Sequence, residues 1–555
     1  MITIIERKAT KLPQFASLYV KLDEYNKNVF DFLVQSQNSV YNKTKNEFEF
    51  SITKLYFLVD YLTKYADVKF IPLHENTKPI IKCNSKKFKI KPFSHQLEAI
   101  NYGLNKQGGW LLLDDCGLGK TISMIYLAEE LSRVEKIKHC LIICGVNSLK
   151  YNWEAEINKF SSKSCTILGQ KISKKTGKTS IGSVADRCKA LKNKIDEFFV
   201  ITNKETLQSK EFLKAFNSSK NTFDMIVLDE AHKCKDPSSL SGKNLLKLKA
   251  NHTIALTGTI IMNNPENAYV PLKWTNNIGC NFTEFKKMFN VYGGFGGVQV
   301  IGYKNLDILQ DLLSKCSLRR RKEDVLDLPD KVINIEYVEM KSQQQKLYNE
   351  VEEGILHELD KLDHIPTVAE EITINMRLRQ ITAYPGALST EVTQSAKLER
   401  LVELIEEIVS QGDKVLVFNT FKSAVDREFE ILKDFNPVVC TGSQSDEEIA
   451  GLKKKFNDDD SCKVMIATWQ KMGTGHTLNA ANYAIFIDTP WTYADFQQAC
   501  DRIYRIGQNK KVTIITLITK NTYDERVQEL IDTKECLSEY LVDNQSDNSL
   551  TIIQE

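Results

Sequence analysis

From about residue 90 onward, short apolar, largely β-branched runs recur along the chain. WLLLDD, CLIICG, FFVIT, DMIVLDE and TIALTGT come first, and after a break KVLVFN, PVVCTG, KVMIAT, YAIFID and TIITLIT. Continuous apolar runs of this length suit strands covered on both faces, as in a parallel sheet. Helical patterns separate them, and that alternation predicts doubly wound α/β architecture. The two sets predict two lobes of similar size, joined near VLDLPDKV (325–332). Residues 1–85 read as a small mixed α/β unit, with strand, helix, turn, strand and helix from LYVKL to VDYL. In NTYDERVQELIDTKECLSEYL, Val527, Leu530, Ile531 and Leu537 recur at helical spacing and predict a closing helix. The predicted organisation is a unit over 1–85, lobe one over 86–330, lobe two over 331–545 and a tail over 546–555.

The composition changes this picture little. A chain of 555 residues exceeds a single core, and 42% hydrophobic with 26% charged residues is ordinary for a soluble protein. There is no run of about 18 apolar residues and no leader pattern. The expectation is therefore no membrane association and a bacterial or phage-infected host cytoplasm, or a nucleus if the source is eukaryotic. The 13 cysteines are scattered without a C-x-x-C, which predicts core thiols and no structural metal. A net charge of +2 does not announce a polyanion partner. The clusters KCNSKKFKIK (82–91), KISKKTGK (171–178) and RRRK (319–322) each read first as solvated faces.

Chemistry enters at LLLDDCGLGKTISM (111–124). An apolar strand that breaks into a glycine turn and then opens a helix aims backbone N–H groups and a helix N-terminus at one point, which makes an anion cradle. Gly117 and Gly119 form the turn, Lys120 would reach the β/γ-phosphates and Thr121 would hold Mg²⁺. Asp114 stands where a strict phosphate loop has its first glycine. MIVLDEAH (225–232) is an apolar strand ending in paired carboxylates: Asp229 to hold the metal through water, Glu230 to orient or deprotonate the attacking water. LTGT (256–259) ends another strand in hydroxyls placed to sense the nucleotide state. In QQACDRIYRIGQ (497–508), Arg502 and Arg505 share a helix face and could reach one phosphate together. An arginine lent by lobe two to ATP on lobe one makes catalysis depend on lobe closure.

The ordered set GLGKT, DEAH, LTGT, GTGHTLNAA and QACDRIYRIGQ resembles the Swi/Snf-type ATPases of helicase superfamily two over roughly residues 90–540. FSHQLEAI, LIICGVNSLKYNWEAEINKF, VITNKETL and LRRRKEDVLDLPDK fall in family order, with Asp115 for the usual glutamate and Gly145 for the usual proline. The resemblance implies two RecA-like lobes with ATP between them and double-stranded DNA across one face. It implies Gln96 as the adenine reader, Gln498 in the ATP site, and His232, Thr257, Gly258 and Thr259 as coupling residues. The implied DNA contacts are Ser148, Lys150 and Thr202 in lobe one. In lobe two they are Asn419, Thr420, Thr468, Trp469, Gly473, Thr474 and Gly475. Small and hydroxyl residues suit phosphate contacts that ignore sequence. Core roles are favoured for Trp469 and Trp491 over stacking on bases.

The compact spacing is most similar to the annealing-helicase subgroup, and residues 1–85 resemble its HARP domain, with Phe48 and Phe50 where tryptophan is typical. KCNSKKFKIK would then be a basic linker grazing DNA phosphates. The leading expectation is a monomeric, Mg²⁺-dependent ATPase that translocates on duplex DNA and remodels or reanneals branched DNA, alongside replication, repair or transcription proteins. Two alternatives stand beside it. One is a motor that displaces bound proteins or partners a nuclease or RNA polymerase. The other is a DNA-structure binder that uses ATP only as a switch.

Overall fold

The computed structural model describes residues 2–8, 16–36, 40–51, 55–71, 80–106, 108–147, 149–172, 179–262, 264–294, 297–360, 368–442, 444, 446–469, 478–505 and 507–543. One large sheet is wholly parallel, in the order Ser317–Leu318, Trp110–Leu112, His252–Leu256, Phe223–Asp229, His139–Cys144, Phe199–Asn203 and Cys165–Ile167. A second, also parallel, runs Lys331–Val338, Val512–Thr519, Tyr483–Phe486, Val415–Asn419, Val464–Thr468 and Val438–Cys440. All of the apolar runs predicted as strands lie in these two sheets.

Alternate residues of each central strand feed opposite cores, which is why the runs are apolar throughout. Leu111, Leu141, Ile226 and Leu228 pack on one face of the first sheet, and Trp110, Leu112, Ile142 and Val227 on the other. Three strands of these two sheets are absent from the sequence reading: Cys165–Ile167, Ser317–Leu318 and Lys331–Val338. All three are edges. Two are short, and the third is wetted along much of its length, so none carries a continuous apolar run.

Residues 2–71 form a separate five-stranded sheet in the order Val40–Asn42, Glu47–Ser51, Ala16–Leu22, Ile2–Lys8 and Val68–Ile71. Its even-numbered positions, Ile4, Leu18, Val20, Phe48 and Phe50, pack with Val29, Leu33, Leu58 and Leu62, so both helices cover one face. The other face carries Arg7 against Glu47 at 3.1 Å and Ser17 against Glu49 at 2.9 Å.

The last helix, Tyr523–Asp543, spans both lobes. Val527 and Ile531 pack with Tyr493 of lobe two, while Leu537 and Leu541 enter the core of lobe one beside Leu309, Leu312 and Leu313. Leu530, predicted to share the buried stripe, is 43% exposed; Leu541 takes the fourth place. None of the 13 cysteines is in a disulfide. Among the described residues no helix is long and apolar enough to cross a membrane, and no group of three or more His, Cys, Asp and Glu could hold a metal ion.

Candidate functional site

The phosphate loop leaves the Trp110–Leu112 strand and ends at the N-terminus of helix Lys120–Val134. Gly117 and Gly119 have φ of +92° and +83°, the left-handed region that favours glycine. A Cβ on Gly119 would also lie 2.3 Å from Gln96 Nε2. Gln96 is buried against the loop, donating to Leu118 O at 3.3 Å and accepting from Phe93 N at 3.1 Å. Lys120 Nζ donates to the carbonyls of Asp114 and Asp115 at 2.7 and 3.1 Å. Burial opposes its charge, but Cys116, Glu230, Asp114 and Asp229 outweigh that and hold its pKa above the ordinary lysine value. Thr121 follows in the first helical turn.

Asp114 departs from the strict loop pattern because it points into the protein. It is 1% exposed and takes a two-pronged contact from Arg320, with Nε at 3.0 Å. Asp115 accepts from Arg319 Nη1 at 2.5 Å and from the backbone N–H of Lys322 at 2.9 Å. Backbone pairing runs in parallel, Leu113 N to Leu318 O at 2.8 Å and Asp115 N to Arg320 O at 3.1 Å. The RRRK cluster is therefore no solvated face. Arg320 and Lys322 are buried, and with Arg319 they clamp the phosphate loop. Sequence reasoning missed this because the partners lie some 200 residues upstream. The traceable signal is two adjacent aspartates in an apolar strand end, matched by adjacent arginines in another.

Asp229 ends the Phe223–Asp229 strand and Glu230 turns left-handed, at φ +52°. Gly145 is explained here. A Cβ on it would stand 2.7 Å from Glu230 O and 2.8 Å from Asp229 O, so only glycine lets the neighbouring strand end approach. Asp229 Oδ2 accepts from Trp153 Nε1 at 2.8 Å and Oδ1 from Glu230 N at 2.9 Å. Burial, and then Glu230, push its pKa up to about 6. Glu230 Oε2 is buried without a hydrogen-bond partner among the described residues. His232 Nδ1 lies 3.3 Å from it and 3.0 Å from Thr257 Oγ1. Thr257 donates its hydroxyl proton to Thr259 O at 2.9 Å, so the imidazole must be the donor to Thr257. Burial drops the His232 pKa to about 3, so the ring is neutral. The four residues predicted as coupling residues, His232, Thr257, Gly258 and Thr259, are thus close together, with Gly258 against Cys116 of the phosphate loop. Trp153 and Glu156 are further site residues that the sequence reading did not single out. The Glu156 carboxyl is pushed up to about 7, by burial and then by Asp229.

Lobe two meets this site through the turn after helix Tyr493–Cys500. Arg505 Cβ would lie 3.4 Å from a Cβ on Gly117. Arg502 is buried, with Nε donating to Gln498 O at 3.0 Å, and Gln498 lines a cleft with Cys116, Gly258, Thr259 and Asp501. Burial, and then Arg502, lower the Arg505 pKa. Lys120, Glu230, Arg502 and Arg505 all lie within electrostatic reach of Cys116 in the phosphate loop, and Asp229 lies within reach of Lys120.

The residues offered as DNA contacts divide differently. Ser148, Gly473, Thr474 and Gly475 lie outside the described residues. Lys150 is 3% exposed, with Nζ on Asn147 Oδ1 at 2.6 Å, and Thr202 donates to Thr206 Oγ1 at 2.9 Å. Asn419 is fully buried and donates to Glu428 Oε1 at 2.5 Å. Thr420 donates to Asp488 and accepts from Trp469 Nε1 at 2.9 Å. Asn419 and Thr468 pair across adjacent strands, which brings this set together at one sheet end. The side chains of Lys150, Thr202, Asn419 and Thr420 are thus engaged by partners within the protein. Trp491 lies under the Arg379 guanidinium at 4.5 Å, a packing role.

Residues 18–387 match the SNF2-related domain and residues 396–507 the helicase conserved C-terminal domain. The chain is 30% identical over 446 residues to an uncharacterized ATP-dependent helicase of Mycoplasma pneumoniae, covering 79% of this chain and 41% of that protein. It is 28% identical over 477 residues to the putative ATP-dependent helicase/translocase YwqA of Bacillus subtilis, covering 81% and 49%. The chain thus spans less than half the length of these curated relatives. Among solved structures, the Sulfolobus solfataricus SWI2/SNF2 ATPase core in complex with dsDNA is 26% identical, with 87% of this chain and 99% of that chain covered at a TM-score of 0.37.

Proposed function

The chain belongs to the SNF2-related family, and from that premise we propose that it hydrolyses ATP to move along double-stranded DNA and remodels or reanneals branched structures. One observation carries the reading. The phosphate loop, the Asp229–Glu230 pair and the Arg502–Arg505 turn meet around Cys116 although they come from three distant stretches of two lobes. Such a constellation suits phosphoryl transfer, which depends on positioning and charge stabilisation rather than on covalent help from the protein.

In this reading Lys120 leaves the loop carbonyls for the β/γ-phosphate oxygens. Glu230, whose Oε2 is buried and without a partner among the described residues, orients the attacking water and accepts its proton. Arg502 and Arg505 face the charge that develops on the transferred group. Thr121 and Asp229 supply the hard oxygen donors that suit Mg²⁺, and Trp153 holds the Asp229 carboxylate in place. That ion, when bound, would neutralise phosphate oxygens. Residues 419–420 and 468–469 stand together at one sheet end, and contacts from there to DNA phosphates would suit movement along any sequence. The sheet of residues 2–71, with its own core, would recognise DNA structure, and exposed Lys82, Lys86, Lys87 and Lys91 would touch phosphates.

The test is ATP turnover without DNA and with matched single-stranded, duplex and forked ligands, with strand annealing scored on the same forks. Duplex or forked DNA should raise turnover about tenfold or more, and Lys120→Ala or Glu230→Gln should abolish it. A rate indifferent to DNA would defeat the translocase reading.

A further inference from the structure

Lys322 has no part in the chemistry described so far, yet its side chain joins the two halves of the cleft. It begins the one-turn helix Lys322–Val325, directly after the arginines that clamp the phosphate loop. Its backbone N–H donates to Asp115 Oδ2 at 2.9 Å, which ties it to lobe one. Its ammonium crosses to lobe two, donating to Tyr504 O at 2.5 Å and to the Asp501 carboxylate, and lies 5.3 Å from the Tyr504 ring centroid. The side chain is 3% exposed.

An ammonium this deeply buried persists only where partners replace its water. Here the partners that bracket Arg502 belong to one turn, Asp501 before it and Tyr504 after it. Arg505 follows at once. Lys322 Cε and Arg505 Cβ lie 3.7 and 3.4 Å from the point where a Cβ on Gly117 would stand, so the lysine and the arginine flank the same glycine of the phosphate loop. The main chain on the lobe-one side and the ammonium on the lobe-two side are therefore one rigid link, a few bonds long, between the loop and the turn.

We propose that Lys322 is a positioning residue, seating the 501–505 turn on the phosphate loop and so fixing where both guanidinium groups stand. The proposal rests on the reading of Arg502 and Arg505 as groups that face a nucleotide phosphate. Asp501 is its counterpart, and loss of either should free the same turn.

The experiment compares the full chain with Lys322→Met, Asp501→Asn, Arg505→Ala and the pairwise combinations, in ATP turnover on duplex DNA and in amide hydrogen exchange over residues 498–508. Lys322→Met should lower kcat about tenfold or more with KM for ATP changed less than about threefold, because the interaction lost is one that matters in the transition state. In the Arg505→Ala background the same change should cost less than in the unmodified chain, since one of the two guanidinium groups it positions is already removed. Exchange over 498–508 should rise in Lys322→Met and Asp501→Asn while the lobe cores keep their protection. Losses that multiply with Arg505→Ala, or unaltered kcat and exchange, would overturn the proposal. If the unmodified chain hydrolyses no ATP, the functional reading falls instead. Exchange alone then decides the matter: unchanged protection over 498–508 refutes the link, and faster exchange there supports it.

Discussion

Single residues in this protein are held by partners far away in sequence, and two of them make sharp tests. Trp153 donates to Asp229 from a neighbouring helix. Trp153→Phe keeps most of the packing and deletes the donor, so kcat should fall about tenfold, roughly the value of one lost hydrogen bond to a charged group. Steady-state turnover at saturating DNA measures it. Glu428 is fully buried, and burial raises its carboxyl pKa from 4.5 to about 8. A carboxyl that holds its proton more tightly when folded contributes stability fully below its unfolded value. It loses that contribution as pH climbs through the folded one. Thermal melts should therefore show a stability loss between pH 4.5 and about 8 that Glu428→Gln, which keeps the contact to Asn419, removes.

At the scale of elements, the central strands of the two large sheets were legible and three of their four edges were not. Runs such as DMIVLDE and KVMIAT announce themselves because both faces of the strand are covered. Ser317–Leu318 is too short to carry a period, and its importance lies in the basic residues that come directly after it. That edge delivers Arg319, Arg320 and Lys322 to the phosphate loop, a contact no local pattern encodes. The residues proposed as DNA contacts were legible only as positions along the chain. Asn419 ends the Val415–Asn419 strand and Thr420 follows it, and their side chains serve Glu428 and Asp488. The Asp114–Arg320 pair offers the test at this scale. Asp114→Ala alone strands a buried guanidinium and should destabilise lobe one by about 3–5 kcal/mol, whereas Asp114→Ala with Arg320→Met should lose much less. Urea unfolding of both variants decides it.

In the whole molecule, the closing helix makes the lobes depend on each other. Leu537 and Leu541 belong to the polypeptide of lobe two yet are buried in the core of lobe one. Leu537→Ala with Leu541→Ala should remove several kcal/mol of that docking, at about 2–5 kcal/mol per side chain. Small-angle scattering should show a larger radius of gyration for the double variant while far-ultraviolet dichroism stays unchanged. The pattern of Val527 and Ile531 predicted the helix correctly. What it could not show was that the stripe changes hosts partway along, which is why Leu530 was misassigned and Leu541 overlooked.

That crossing helix also limits how the molecule can open. The chain already passes between the lobes once, through residues 325–331, and the helix returns at a second place. A body suspended at two points keeps one easy rotation, about the line that joins them, and resists twist and slide. In the proposed reaction, lobe movement would thereby be steered along a single arc, as a door is by its pair of pins.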